Sequence, residues 1–110
     1  MGLYSFGEIM SYKLFIDDER NPVTDDWYIA RNSVAAFLIV VHKGFPEEIA
    51  FDHDLGGDDT SIVFLNMLTN YILDYNLKIP KNFTYSIHSQ NQVGAANIKS
   101  KMDALIMECV

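Results

Sequence analysis

The sequence predicts an α/β fold, in which a four-stranded, mostly parallel sheet of order 2-1-3-4 and three helices form a three-layer sandwich. Short β-type segments alternate with longer helical patterns along the chain, and the loops that join them are short. This alternation is typical of βαβ units, whose helices cover both faces of a parallel sheet. The first two strands are the exception, because the polar residues between them are too few for a full crossover helix.

Four short segments have the composition of strands. They are "YKLFI" (12–16), "WYIA" (27–30), "EIAF" (48–51) and "FTYSI" (83–87). Each is rich in aromatic or β-branched residues, and the first is ended by the polar "DDERNP". The third is apolar in its centre, as expected of a strand buried in the middle of a sheet.

The first helix is predicted between the second and third strands. Asn32 or Ser33 can cap its start, because a side-chain oxygen at that position accepts a free backbone N–H. Helical spacing places four apolar side chains on one stripe that we expect to face the core: Val34, Phe37, Leu38 and Val41. The helix is predicted to stop before Gly44, which follows two basic residues and precedes Pro46.

Two further helices are predicted in the second half of the chain. Residues 60–76 have a wide apolar face, with Asp58, Asp59 or Thr60 as the N-cap. The last helix is predicted over residues 92–108. Its core-facing side chains keep i, i+4, i+7, i+8 spacing: Ile98, Met102, Leu105 and Ile106.

Composition predicts one domain with a hydrophobic core. The chain has 110 residues, of which 49% are hydrophobic and 21% charged, so global disorder is excluded. We predict a single domain over residues 10–110, preceded by an extension at residues 1–9. The longest apolar run, "VAAFLIVV" (34–41), is far short of the ~18 residues that cross a bilayer. The start of the chain lacks the features of a secretory signal, and a single cysteine fits a reducing cytoplasm.

The net charge of −7 argues against a duplex nucleic acid as partner. Binding along a phosphate backbone needs clustered cations, and the nearest approach to a cluster, Lys99 and Lys101, is explained as a solvated helix face. A small phosphate-containing ligand or an RNA end is still compatible with this charge, because one metal ion or one arginine reverses the local field.

Polar segments follow three of the four predicted strands. "DDER" (17–20) follows the first strand, "DHDLGG" (52–57) the third, and "HSQN" (88–91) the fourth. The carboxyl ends of parallel strands meet at one edge of a sheet, where ligands bind in α/β proteins. We therefore expect these segments to form one site.

The aspartates of these segments predict a site for Mg²⁺ or Mn²⁺. Asp17 and Asp18 repel each other unless a cation or N–H donors compensate them, and Asp52 would supply a third oxygen ligand. Asp54 is an alternative to Asp52, because both lie on one side of the strand if the strand continues. Ordinary turn chemistry is the competing explanation for the adjacent pair. Asp58 and Asp59 are explained by helix capping.

The remaining polar residues predict proton transfer and phosphate binding. Imidazole is the side chain suited to proton transfer near neutral pH, so His53 and His88 are candidates for the acid and base of a phosphoester reaction, although a structural role is the alternative for each. Arg20 is a candidate for a bidentate phosphate contact. Two more candidates, Ser89 and Asn91, precede the last helix, where capping and anion binding by the helix N-terminus are both compatible.

Gly56 lies between these segments. It allows a positive φ and close approach of the backbone to a ligand, with a tight turn as the alternative.

Three motifs resemble a known family. "LFIDDE" followed by "IAFDHDLGG" resembles the response-regulator receiver domain. More specifically, "LFIDDERNP", "FDHDLG" and "HSQNQVGAANI" together resemble the receiver-like family of bacteria and phages proposed to process cyclic phosphates. The resemblance implies a truncated receiver- or flavodoxin-like fold that lacks the fifth strand. It also implies that Asp17, Asp18 and Asp52 (or Asp54) bind metal, and that the site is lined by the following residues: His53, His88, Ser89 and Asn91, with Asn97 near it.

The leading hypothesis is a metal-dependent phosphoesterase that opens the cyclic phosphate of a nucleotide or of an RNA end. Its catalytic group would be His88, His53 and Asp54. One alternative is a receiver-type signalling module phosphorylated on Asp52. The chain departs from such receivers, because it ends before the strand that carries their phosphoryl-binding lysine and has His88 where they have a switch Ser or Thr. The other alternative is a catalytically inactive module that binds a nucleotide or a host protein.

Overall fold

A computed structural model describes residues 11–110, which contain one parallel sheet. Its strands are β1 (Lys13–Ile16), β2 (Trp27–Ala30), β3 (Glu48–Phe51) and β4 (Thr84–Ile87), in the order β2-β1-β3-β4. Every neighbouring pair is parallel. The predicted strand order and number are therefore confirmed, and no fifth strand is present in this range. The predicted extension at residues 1–9 lies outside the described residues.

Three helices follow β2, β3 and β4, as predicted. They are α1 (Ser33–Lys43), α2 (Ser61–Asp74) and α3 (Gln92–Cys109). Each begins with a side-chain cap of the expected kind, from Asn32, Thr60 and Asn91 respectively. None of the helices between residues 11 and 110 is both long and apolar enough to cross a membrane.

The hydrophobic core lies between one face of the sheet and the three helices. Strand pleating turns alternate residues to each face, and the strands are in register. The core-facing set from the strands is Leu14, Ile16, Ala30, Ile49 and Phe51. The helices add Phe64, Leu65, Leu68, Ile98 and Met102, which are at most 1% exposed.

The prediction of helices on both faces of the sheet is wrong for the described residues. α1 packs on α2, and α2 packs on α3, so the three form one layer. The cause is the direction of the connections: those from β2 to β3 and from β3 to β4 run the same way, and right-handed crossovers then place their helices on one face. The connection from β1 to β2 runs the opposite way and belongs to the other face, but it contains no helix. We call this second face the helix-free face.

The predicted apolar stripe of α1 is also wrong. Ser33, Ala36 and Val40 are its buried residues, whereas three members of the stripe are 38–56% exposed: Val34, Leu38 and Val41. Phe37 is half-buried. Residues 34–41 are apolar on every side of the helix, so spacing could not single out one face. The small side chains of Ser33 and Ala36 allow a close approach to the neighbouring elements, and that contact determines the buried side.

Candidate metal and phosphate site

The backbone of the sheet fixes the first residue beyond three strands. The N–H of Asp17 donates to Ala30 O at 3.1 Å, that of Asp52 to Ile16 O at 2.9 Å, and that of His88 to Phe51 O at 2.8 Å. The ladder hydrogen bonds thus continue one residue past β1, β3 and β4. The first residues of the three predicted segments therefore leave the sheet side by side, as expected.

Asp17, Asp18 and Asp52 form the centre of the site, which we call the acidic cluster. One carboxylate oxygen from each lies within 4.8 Å of the others. Asp17 is fully buried, Asp52 is 7% exposed, and Asp18 is exposed. Two buried carboxylates at this separation are unfavourable unless cations or N–H donors compensate their charge.

Asp17 receives that compensation from four donors. Its Oδ1 accepts the backbone N–H groups of Glu19 and Arg20 at 3.0 and 2.8 Å. Its Oδ2 lies 3.0 Å from Arg20 Nε and 3.0 Å from His88 Nε2. Burial by itself would raise the pKa of Asp17, but the two backbone donors, His88 and Arg20 together hold that pKa below its ordinary range.

The depressed pKa of Asp17 makes stability depend on pH at the acidic end. Its stabilising contribution is complete above the ordinary pKa of an aspartate and is lost as the pH falls through the lower, folded-state value. In metal-free protein we expect the free energy of unfolding to fall below about pH 4. Urea titrations between pH 6 and pH 2 should show a shallower fall for Asp17→Asn; parallel curves for the two proteins would contradict this assignment.

Arg20 joins the two buried carboxylates. Its Nε contacts Asp17, and its Nη2 lies 3.5 Å from Asp52 Oδ2. Asp52 Oδ1 accepts the His53 backbone N–H at 2.9 Å. The guanidinium of Arg20, whose side chain is 48% exposed, therefore places a positive charge between these two carboxylates. The cluster offers hard oxygen ligands, which fit Mg²⁺ or Mn²⁺.

Asp54 is separate from the acidic cluster. β3 ends at Phe51, and Asp54 instead makes an antiparallel bridge with Thr60. Its side chain is 66% exposed, and its Oδ1 lies 3.0 Å from His53 Nδ1. The assumption that the strand continues to residue 54 is therefore wrong, and the geometry groups Asp52 with Asp17 and Asp18.

A cleft of about 410 Å³ opens beside the acidic cluster. Its lining comprises Asp18, Glu19, Arg20, Asp52, Asp54, Ser89, Gln90 and Asn91. The three predicted segments therefore all contribute to it. Gly56 is next to this cleft, with φ +93°, and a Cβ at that position would lie 3.7 Å from Asp18 Oδ2.

The two candidate histidines are not in the lining of the cleft. His88 stacks on Phe15 with ring centroids 4.7 Å apart, and its Nε2 faces Asp17. His53 has a side chain that is 14% exposed, and its Nδ1 lies 3.5 Å from Asn91 Nδ2 as well as close to Asp54. His88 therefore pairs with Asp17 and His53 pairs with Asp54, while neither ring lines the cleft itself. Asn97 is exposed on α3 and is not in the lining.

Comparison with family models matches residues 12–104 to the cyclic-phosphate processing receiver domain. The chain belongs to this family. No curated protein and no solved structure gives a significant match. Among residues 11–110 the lining of the cleft includes no lysine, and its cation is Arg20. This domain therefore places an arginine, on the loop after β1, beside its acidic cluster.

Arg31 is a residue of this receiver domain that the sequence did not predict. It follows β2 directly, and its Nη1 donates to Asp17 O at 3.2 Å and to Arg20 O at 2.6 Å. Its Nη2 donates to Asn21 Oδ1 at 2.5 Å. Arg31 therefore holds the loop that carries Asp18 and Arg20. The sequence signal for Arg31 is its position directly after a strand, on the edge of the sheet where the other polar segments also lie.

We predict that Arg31→Met loosens this loop without removing any carboxylate of the acidic cluster. The variant keeps the apolar part of the side chain and loses the hydrogen bonds to Asp17 O and Arg20 O, which we expect to cost about 1–3 kcal/mol of unfolding free energy. Mn²⁺ affinity should also fall, by about tenfold. Lys43→Met, at an exposed position at the end of α1, is the control. Equal Mn²⁺ affinity in the two variants would contradict the role of Arg31.

Asp59 has a different role from the one predicted. Its Oδ2 accepts the backbone N–H of Ser33 at 2.8 Å, so it satisfies the first turn of α1 and not that of α2. Thr60 caps α2 instead. The sequence indicated a capping aspartate but could not show which helix would lie against it, because α1 and α2 meet only in the folded domain.

Proposed function

We propose that this domain is a metal-dependent phosphoesterase that opens cyclic phosphates. The observation that carries the proposal is the acidic cluster, two of whose three members are buried, at the edge of a cleft that also contains an arginine and a helix N-terminus. Family membership supports a role in cyclic-phosphate processing. The metal dependence and the hydrolytic reaction are our inference from the cluster.

In this proposal Asp17, Asp18 and Asp52 hold Mg²⁺ or Mn²⁺. When bound, the ion would polarise a phosphoryl oxygen and offset the negative charge of the phosphate. An ion held by these carboxylates would supply the positive charge that Arg20 now provides to Asp17 and Asp52. Because the Arg20 side chain is half exposed at the wall of the cleft, its guanidinium is then available for a phosphate oxygen.

The start of α3 supplies neutral donors for the phosphate. Asn91 caps the helix through Gly94 N at 2.8 Å, and Ser89 Oγ accepts the Asn91 N–H at 3.1 Å. The first turn of α3 contains no acidic residue, so its positive end is not neutralised locally. Ser89 and Asn91 thus line the cleft while they also fix the direction of the helix.

His88, His53 and Asp54 are the candidates for proton transfer in this proposal. Asp54 lines the cleft, and His53 Nδ1 lies 3.0 Å from its carboxylate. His88 is paired with Asp17, so we assign it to holding that carboxylate and to proton transfer only as substrate displaces it.

The test is turnover of a panel of 2′,3′- and 3′,5′-cyclic nucleotides with Mg²⁺ or Mn²⁺. We expect metal-dependent opening of at least one class and loss of it on addition of EDTA. His88→Ala should abolish turnover, whereas His42→Ala, at an exposed histidine in the last turn of α1, should not. No turnover across the panel in protein shown to bind Mn²⁺ would overturn the proposal.

Two further measurements separate the alternatives. A beryllofluoride-induced change that is lost in Asp52→Asn would favour a phosphoacceptor module. Tight nucleotide binding without turnover would favour an inactive binding module.

A further inference from the structure

A second pocket lies on the helix-free face, beside the acidic cluster. Its volume is about 380 Å³, within the range of roughly 300–1,000 Å³ that small-molecule sites occupy. Three rings and three apolar side chains make up most of its wall: Phe15, Trp27, His88, Pro22, Val23 and Ala50. The pocket exists because the loop from β1 to β2 crosses this face without a helix. We call it the aromatic pocket.

The rings of the aromatic pocket pack on one another, and Phe15 is the least exposed of the three. Phe15 and His88 are nearly parallel, with an interplanar angle of 7°, and Trp27 meets Phe15 edge-on at 5.8 Å between centroids. Val23 at the pocket wall is fully exposed, so its apolar surface faces water. Flat rings beside uncovered apolar surface suit a flat, partly apolar ligand.

Arg20 connects the aromatic pocket with the cleft. It lines both of them, and its guanidinium contacts Asp17 and Asp52. His88 makes a second connection, because one face of its ring belongs to the pocket stack while its Nε2 faces Asp17. A ligand with its phosphate at Arg20 therefore has an aromatic-lined pocket next to that phosphate.

We propose that the aromatic pocket holds the base of a nucleotide whose cyclic phosphate lies in the cleft. The inference rests on the proposed function and narrows its substrate class to nucleosides and RNA ends, as opposed to cyclic phosphates of simple sugars. A heteroaromatic base stacks on aromatic side chains whatever its sequence identity. The polar side chains of Asn21 and Ser86, also in the wall, provide hydrogen-bonding groups for the edge of the base.

The single tryptophan of the chain, Trp27, reports directly on this pocket. Fluorescence is titrated in Mg²⁺ buffer with adenosine 3′-monophosphate, a product-type ligand, and with methyl riboside 3-phosphate, which lacks the base. We expect saturable quenching by the nucleotide and about tenfold weaker binding of the base-free ligand, the effect of losing one stack. Equal affinity for the two ligands would overturn the inference.

A pair of variants on β4 locates the binding. Ser86→Phe fills the pocket, whereas Thr84→Phe adds the same ring on the same face of the strand, outside the pocket wall. We expect Ser86→Phe to weaken nucleotide binding about tenfold and to leave binding of the base-free ligand unchanged. Equal nucleotide affinity in the two variants would place the base elsewhere.

If Ser86→Phe lowers the melting temperature, Val23→Asn is measured instead, because Val23 is fully exposed and the substitution adds no charge beside Arg20. It should weaken binding of the nucleotide and not that of the base-free ligand. These titrations need no turnover, so they separate this inference from the proposed activity. Nucleotide binding in the pocket of a protein that opens no cyclic phosphate would sustain the inference and overturn the activity.

Discussion

Asp52→Asn is expected to lower Mn²⁺ affinity by about 100-fold or more, because loss of a direct ligand should cost at least as much as loss of a residue that only orients a ligand. One carboxylate oxygen from each of Asp17, Asp18 and Asp52 lies within 4.8 Å of the others, so removal of one charge leaves an incomplete ligand set. Asparagine keeps an oxygen that can accept the His53 N–H, so the loop should hold its shape. Calorimetric titration or Mn²⁺ electron paramagnetic resonance measures the change.

Asp58→Asn is the matched control for this prediction. Asp58 is exposed, lies in the same loop, and is not in the lining of the cleft, so the variant changes net charge by the same amount without touching the cluster. A second test measures Mn²⁺ binding through its effect on protein stability.

Mn²⁺ at 100 times its dissociation constant should raise the unfolding free energy of the wild-type chain by about 2.7 kcal/mol. Asp52→Asn should show almost none of that increase; equal increases in the two variants would contradict the metal site.

The place of the site was predictable because it follows from the order of the strands. Polar segments after β1, β3 and β4 meet on one edge in any parallel sheet of order 2-1-3-4, so Asp17, Asp52 and His88 were brought together by topology alone. The same reasoning covers Arg31 after β2. It was missed because an arginine at a strand end is more often a surface charge, and its loop contacts are not visible in the sequence.

The local sequence pattern does not determine the buried side of an element when several ways of packing that element are compatible with the pattern. The first helix is apolar all round, so its buried side was decided by contact with β1, β2 and α2. The hydrogen-bonding partners of His53 and His88 depend on distances between loops, and the spacing of residues along the sequence does not give those distances. The helix-free face has a different cause: the connection after β1 is too short for a helix, so the crossover that belongs to that face leaves it uncovered.

The second large effect is expected from Gly94→Ala in the first turn of α3. Glycine to alanine inside a helix is ordinarily stabilising by about 1 kcal/mol. A Cβ at Gly94, however, would overlap the ring of His53, contacting its Cγ and Cδ2. Such overpacking costs about 1–3 kcal/mol, and the ring has little room because its side chain is only 14% exposed. We therefore expect a net loss of unfolding free energy, measured by urea denaturation.

A double-mutant cycle assigns that loss to the ring. In a His53→Ala background the space is empty, so Gly94→Ala should be neutral or should stabilise by up to about 1 kcal/mol. If Gly94→Ala destabilises both backgrounds equally, the cause lies in the backbone and not in His53. If Gly94→Ala lowers the unfolding free energy of the wild type but raises that of His53→Ala, contact with Gly94 holds the ring of His53 in place. That contact keeps His53 Nδ1 between Asp54 and Asn91. The glycine at residue 94 would then be required because the histidine at residue 53 must lie behind the cleft, and not for any freedom of φ.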